Sequence, residues 1–150
     1  MGLNHSLPEV FDHWRTEDRE LEAYIGKVRD WMKEIEQLGI PHFGETATQL
    51  RPLRERLVLH FEREDEMISH LAASLSEPSS EFDDLRCRAA HDHEGLLARL
   101  DELSARLSET DPPFPSWQAA MSEVAEFVDR LEKHEAMEAA TIEKFLAKPR

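Results

Sequence analysis

The chain of 150 residues contains one cysteine, Cys87, so no internal disulfide can form and the disulfide-stapled scaffolds are excluded. Its five glycines form no phosphate-cradling loop, and no serine or cysteine nucleophile stands beside a base. Basic residues are also scarce. Eighteen Lys and Arg face 32 Asp and Glu, a formal charge of −14 that repels nucleic acid and anionic lipid alike. No stretch approaches the roughly 20 apolar residues needed to span a bilayer. The opening "MGLNHSLPEVFDHW" lacks the basic start and apolar run of a signal peptide. These absences lead us to expect a cytoplasmic protein with neither a nucleic-acid nor a membrane partner. No valine- or isoleucine-rich alternating run reads as a strand.

What is present is helical. The 40% hydrophobic content suffices for one core of ordinary size, so residues 1–150 are read as a single domain. Breaks at "LGIPHFGE", "LSEPSSE" and "ETDPPFPSW" separate four long periodic segments. The first helix should run from about Leu7 to Leu38 and the second from near Thr46 or Pro52 to about Leu75. The third should cover about Ser80 to Ser108 and the fourth Ser116 to about Lys148. Pro52 is tolerable in the first turn of the second helix and kinks it anywhere later. Four helices joined by short loops predict an all-α, up-down-up-down four-helix bundle.

Apolar residues at alternating spacings of three and four mark the face each helix turns inward. In the second helix that stripe is Leu50, Leu53, Leu57, His60, Glu64, Met67 and Leu71; in the fourth it is Val124, Phe127, Leu131, His134, Glu138, Thr141 and Phe145. Both carry His and Glu four apart. The third helix gives Ala89, His93, Leu96, Leu100, Leu103 and Leu107, and the first gives Val10, His13, Glu17, Leu21, Tyr24, Val28, Trp31 and Ile35. Every helix therefore turns a histidine inward.

Four residues of helix advance about 6 Å and rotate about 40° past a full turn, so His60 and Glu64 project toward one point, as do His134 and Glu138. A buried carboxylate without a partner costs several kcal/mol at least. One or two dications remove that cost by taking the carboxylate oxygens and imidazole nitrogens as ligands. The pattern also occurs twice: "FDHW" with "LHFERE" corresponds to "HDHE" with "KHEAME". Such halving suits two metals, with His13, His60, His93 and His134 as terminal ligands and Glu64 and Glu138 bridging. Ligand type favours iron and admits manganese or zinc.

With His13 in "DHW", His60 and Glu64 in "HFERE", His93 in "DHE", and His134 and Glu138 in "HEAME", the whole chain resembles the hemerythrin-like, or HHE cation-binding, domains. The resemblance implies a non-heme di-iron centre that interacts with dioxygen, nitric oxide or peroxide, or that reports iron and oxygen status. Oxygen-carrying hemerythrins have two third-helix histidines four apart and an aspartate five residues after the fourth-helix histidine. Here Ala89 and Leu97 flank His93 at that spacing, and Glu138 follows His134 by four, so the match is better to the six-ligand HHE subgroup.

Each residue also has a plainer reading. A lone inward histidine is more often a hydrogen-bonded core residue than a ligand. His91 competes with His93 in "HDHE" but falls off the stripe of Leu96, Leu100 and Leu103. Glu17 is equally an extra ligand or a solvated first-helix carboxylate. His5, His42 and His70 are read as solvated. "HEAME" lacks the second histidine of H-E-x-x-H, and the Glu-x-x-His pair of ferritin-like di-iron bundles is absent. The same ligand set can bind and release a small molecule or turn it over, so a peroxide-decomposing or nitric-oxide-reducing enzyme is the rival to a binding or sensing protein. A metal-free helical interaction module is the third reading, and it predicts full stability after chelation.

Overall fold

The computed structural model describes residues 7–38, 41–74 and 80–147, the side chains at 7, 8 and 145–147 excepted. His5 and the Phe145 side chain lie outside them. Four helices follow one another: α1 (Leu7–Leu38), α2 (Phe43–Ser74), α3 (Ser80–Leu107) and α4 (Trp117–Ala147), with no strand among the described residues. The Ser116 hydroxyl accepts the Ala119 N–H at 3.0 Å, the side-chain cap that starts α4. Glu81 and Asp83 in the first turn of α3, and Arg106 in its last, suit the helix dipole. α2 starts earlier than its sequence suggested, so Pro52 lies in its interior rather than its first turn. Lacking an N–H, Pro52 leaves the Thr48 carbonyl without its helical donor.

Two apolar clusters fill the bundle, one at each end. The larger takes Leu21, Ile25 and Val28 from α1, Leu50 to Phe61 from α2, Leu96 to Leu107 from α3 and Ala120 to Leu131 from α4. The smaller joins Val10 and Trp14, Met67 to Leu71, Phe82 to Ala89, and Ile142. Along α1 and α3 the chain passes from the small cluster to the large one; along α2 and α4 it passes back. That order is an up-down-up-down bundle, as the segment lengths predicted. Between the clusters every helix is interrupted by polar residues, at 18, at 60 and 64, at 93, and at 134, 135 and 138. The chain thus confines its buried charge to one layer.

The inward stripes of α2 and α3 are buried at every position read from the sequence. In α4 the stripe is buried from Val124 to Glu138, after which Ile142 takes the interior place expected for the half-buried Thr141. α1 departs more. Its buried residues are Val10, Trp14, Leu21, Ile25, Val28 and Ile35, while Tyr24 and Trp31 are half-buried and His13 is exposed. The Trp14 indole, 2% exposed, occupies the place assigned to its neighbour. A large apolar side chain gains more from burial than an imidazole, so it sets the rotation of this turn. His42 and His70 also depart from their solvated reading: both are half-buried, and His42 lies edge-on to Trp117 with ring centroids 6.5 Å apart. No described helix is long and apolar enough to cross a membrane.

Candidate metal centre

Two donor groups occupy the polar layer. Glu64, His93, His134 and Glu138 form one and Asp18, His60 and Glu135 the other, each with ligand atoms within 4.8 Å of one another. Glu64 joins them. Its Oε1 lies 2.6 Å from His60 Nε2 and its Oε2 2.8 Å from His93 Nε2, so one carboxylate offers an oxygen to each group. His60 Nε2 is also 2.5 Å from Glu135 Oε2 and 3.8 Å from Asp18 Oδ1. In the other group Glu138 Oε1 lies 3.1 Å from His93 Nε2 and 3.0 Å from His134 Nε2. All three imidazoles therefore aim Nε2 inward.

Their orientation is set by packing and charge. His134 Nδ1 faces Asp92 at 3.4 Å, the arrangement by which carboxylates commonly orient ligand imidazoles, whereas Asp65 stands 3.6 Å from His93 Nδ1, which makes no hydrogen bond. Phe61 lies flat on the His93 ring, centroids 4.0 Å apart and planes at 7°, and meets His134 edge-on at 6.2 Å. Rings so packed have few rotamers left to them.

Burial penalises each imidazolium, yet the neighbouring carboxylates overcome it: Glu135 and Glu64 raise His60 to about 11, and Glu138 and Glu64 raise His93 to about 10. His134 is raised in the same way, burial being outweighed by Glu138. Burial would raise Glu138 too, but Glu64, His134 and His93 hold it down at about 2. Glu135 is lifted to about 7 and Asp18 to about 6, in each case chiefly by burial. The layer draws positive charge to the space between the Nε2 atoms.

Hydrogen bonding leaves that demand unmet. Both oxygens of Glu64, Oε1 of Glu135, Oδ1 of Asp18 and Nε2 of His134 are buried without a hydrogen-bond partner of acceptable geometry. Buried polar atoms left this way ask for an explanation, and convergent carboxylate oxygens and imidazole nitrogens are what a hard or borderline dication binds. Four carboxylates, those of Asp18, Glu64, Glu135 and Glu138, match the charge of two dications. The donor set fits such ions.

Of the six residues singled out in the sequence, the structure brings together His60, Glu64, His93, His134 and Glu138. It leaves His13 exposed on α1, outside both groups. Glu138 lies against the two histidines of one group, and Glu64 alone touches histidines of both. His93 is buried where His91 is exposed. Glu17 pairs with Arg63 at 3.8 Å. Two residues enter that sequence reasoning missed. Asp18 lies four after Trp14 and three before Leu21, the spacing of the buried α1 stripe. Glu135 lies seven after Val128 and seven before Ile142, both fully buried, so a second stripe on α4 pointed to it.

This placement separates two neighbours on α1. Asp18→Ala should weaken binding of one metal equivalent at least 10-fold in a calorimetric Co2+ titration, by removing a donor 3.8 Å from His60. His13→Ala should leave both equivalents intact. The reverse outcome would require α1 to be rotated by about one residue.

The family model for the hemerythrin HHE cation binding domain matches residues 9–146. No curated protein and no solved structure gives a significant match.

Proposed function

The chain belongs to the hemerythrin HHE cation-binding domain family, and from that premise we propose that it is a non-heme di-iron protein that binds or senses dioxygen, nitric oxide or a peroxide. The observation that carries this reading is Glu64, buried and set between two donor groups with one oxygen toward each. A single cation would need only one group. Two adjacent redox-active cations supply a place where a small molecule binds and exchanges electrons.

The chain's own residues divide that work. His93, His134 and Glu138 would hold one ion with Glu64, and Asp18, His60 and Glu135 would hold the other, again with Glu64. Each group thus offers four side chains, and an ion held by one atom from each would have room for an exogenous ligand. Asp92 faces the outer nitrogen of His134, and Phe61 lies flat on the His93 ring and covers that face. Manganese or zinc would be accepted by the same donors.

A turnover reading draws on one feature, the excess of carboxylates over imidazoles. Carboxylate-rich di-iron bundles are a known setting for oxygen chemistry. Consumption of peroxide or nitric oxide by the iron-loaded protein over many equivalents would establish it, and one-equivalent binding would confine the protein to capture or sensing.

Metal analysis of protein expressed with supplemental iron should find about two iron atoms per chain, with near-ultraviolet charge-transfer bands when oxidised. Colourless, iron-free protein from that preparation would sink the reading.

A further inference from the structure

Between α1 and α4 lies a cavity of about 410 Å³ whose walls include Asp18 and Glu22 on one side and Glu132 and Glu135 on the other. Glu22 is exposed, Asp18 half-buried and Glu135 buried, so carboxylates run from solvent down to His60. Glu22 follows Asp18 by one helical turn and shares its face. Near the rim Arg29 is occupied by Glu132 at 2.8 Å and Asp129 at 2.7 Å, and among the described residues no lysine or arginine lines the cavity. At the inner end Glu135, 6% exposed, has Oε1 without a hydrogen-bond partner. A smaller cavity of about 230 Å³ reaches His134 from the α3–α4 side, where Arg130 and Lys133 stand beside a single carboxylate, Asp92.

We propose that the α1–α4 cavity is the entry path for the divalent cation, with Glu22 capturing the hydrated ion at the rim and Asp18 and Glu135 passing it to His60. The inference rests on the metal-centre reading and goes beyond it by naming the route. An ion shedding its water needs replacement oxygens at each stage, and this wall supplies them in sequence. A lining of one sign also raises the local concentration of the opposite charge and so the on-rate. The α3–α4 opening, with two basic side chains against one carboxylate, offers no such attraction. Small residues keep the acidic path open: Gly26 and Ala136 both line it, and a Cβ placed on Gly26 meets nothing within 4 Å.

The test is stopped-flow uptake of Co2+ by metal-free protein, followed by its visible absorption, with dissociation measured separately by chelator competition. Gly26→Leu and Ala136→Leu place bulk in the path at half-buried and exposed helical positions. Association and dissociation should both slow at least 10-fold, with the dissociation constant unchanged. Glu22→Lys should slow association several-fold and flatten its salt dependence, while Glu126→Gln, an exposed carboxylate of α4 outside the cavity, should do neither. Unchanged rates in both leucine variants would overturn the route and leave the centre standing. So would slowing matched by lost affinity, because that indicates a damaged site. If the unaltered protein takes up no Co2+, the centre itself falls and the route with it.

Discussion

Removing the metal should lower the melting temperature by about 15–30 °C. Ligand binding to the native state stabilises by about 4 kcal/mol per site when free metal is 1,000 times its dissociation constant. Two sites give about 8 kcal/mol, and each kcal/mol moves the midpoint of a chain this size by roughly 2–4 °C. The side chains explain why so much depends on the ions. Asp18, Glu64, Glu135 and Glu138 bring four carboxylates into one layer, and without metal they are offset by protons on His60, His93 and His134 and by partial protonation of Glu135. Imidazolium contacts hold that layer together less well, since both oxygens of Glu64 make no hydrogen bond of acceptable geometry. The apolar clusters on either side contain none of the candidate metal donors, so the metal-free protein should stay helical while melting earlier. A midpoint that does not move after chelation, in protein shown to be metal-free, would favour the plain interaction bundle.

Glu64→Gln should abolish binding of both metals. The amide keeps the shape of the side chain but carries no charge, and it presents only one oxygen where His60 Nε2 and His93 Nε2 each face one now. Glu138→Gln and Glu135→Gln should each cost one equivalent, because each touches histidines of a single group. The metal-free Glu64→Gln protein should melt lower than the metal-free parent, since the neutral amide no longer offsets the buried His60 and His93 imidazoliums that Glu64 faces at 2.6 and 2.8 Å. Metal content by elemental analysis and a melt of both apo forms read these effects together. Retention of one full equivalent in Glu64→Gln would show that the two groups are independent and that Glu64 does not join them.

Much of this centre was legible in the residues. α2 and α3 carry leucines at three-four spacing on both sides of their polar positions, and α4 carries Val124, Phe127 and Leu131 before His134. Such runs fix the rotation of a helix, and His60, Glu64, His93, His134 and Glu138 follow from it. The first helix gave no such constraint. Between Trp14 and Leu21 it reads "RTEDRE", with no apolar residue to choose between a stripe through His13 and Glu17 and one through Trp14 and Asp18. The indole's larger gain from burial, realised in the cluster it forms with α2, α3 and α4, decided that it goes in and the imidazole stays out.

Glu135 shows the same limit from another side. A stripe assigns one direction to each helix, but α4 packs against α3 and also against α1 and α2, so the arc it buries is wider than the 100° between successive residues. His134 faces α3 and Glu135 faces α1, and both are interior. The bridging role depends on the tertiary structure for a similar reason. Glu64 and Glu138 have identical local patterns, each four after a histidine, and differ in which histidine of a neighbouring helix lies opposite the free oxygen. The sequence by itself determined the four helices, the inward rotation of three of them and the kind of chemistry their polar residues can do, because period and residue type are local properties. The choice of Asp18 over His13, the recruitment of Glu135 and the place of Glu64 between the two groups were decided by the docking of helices distant in the chain, where distance across the bundle sets which donors meet.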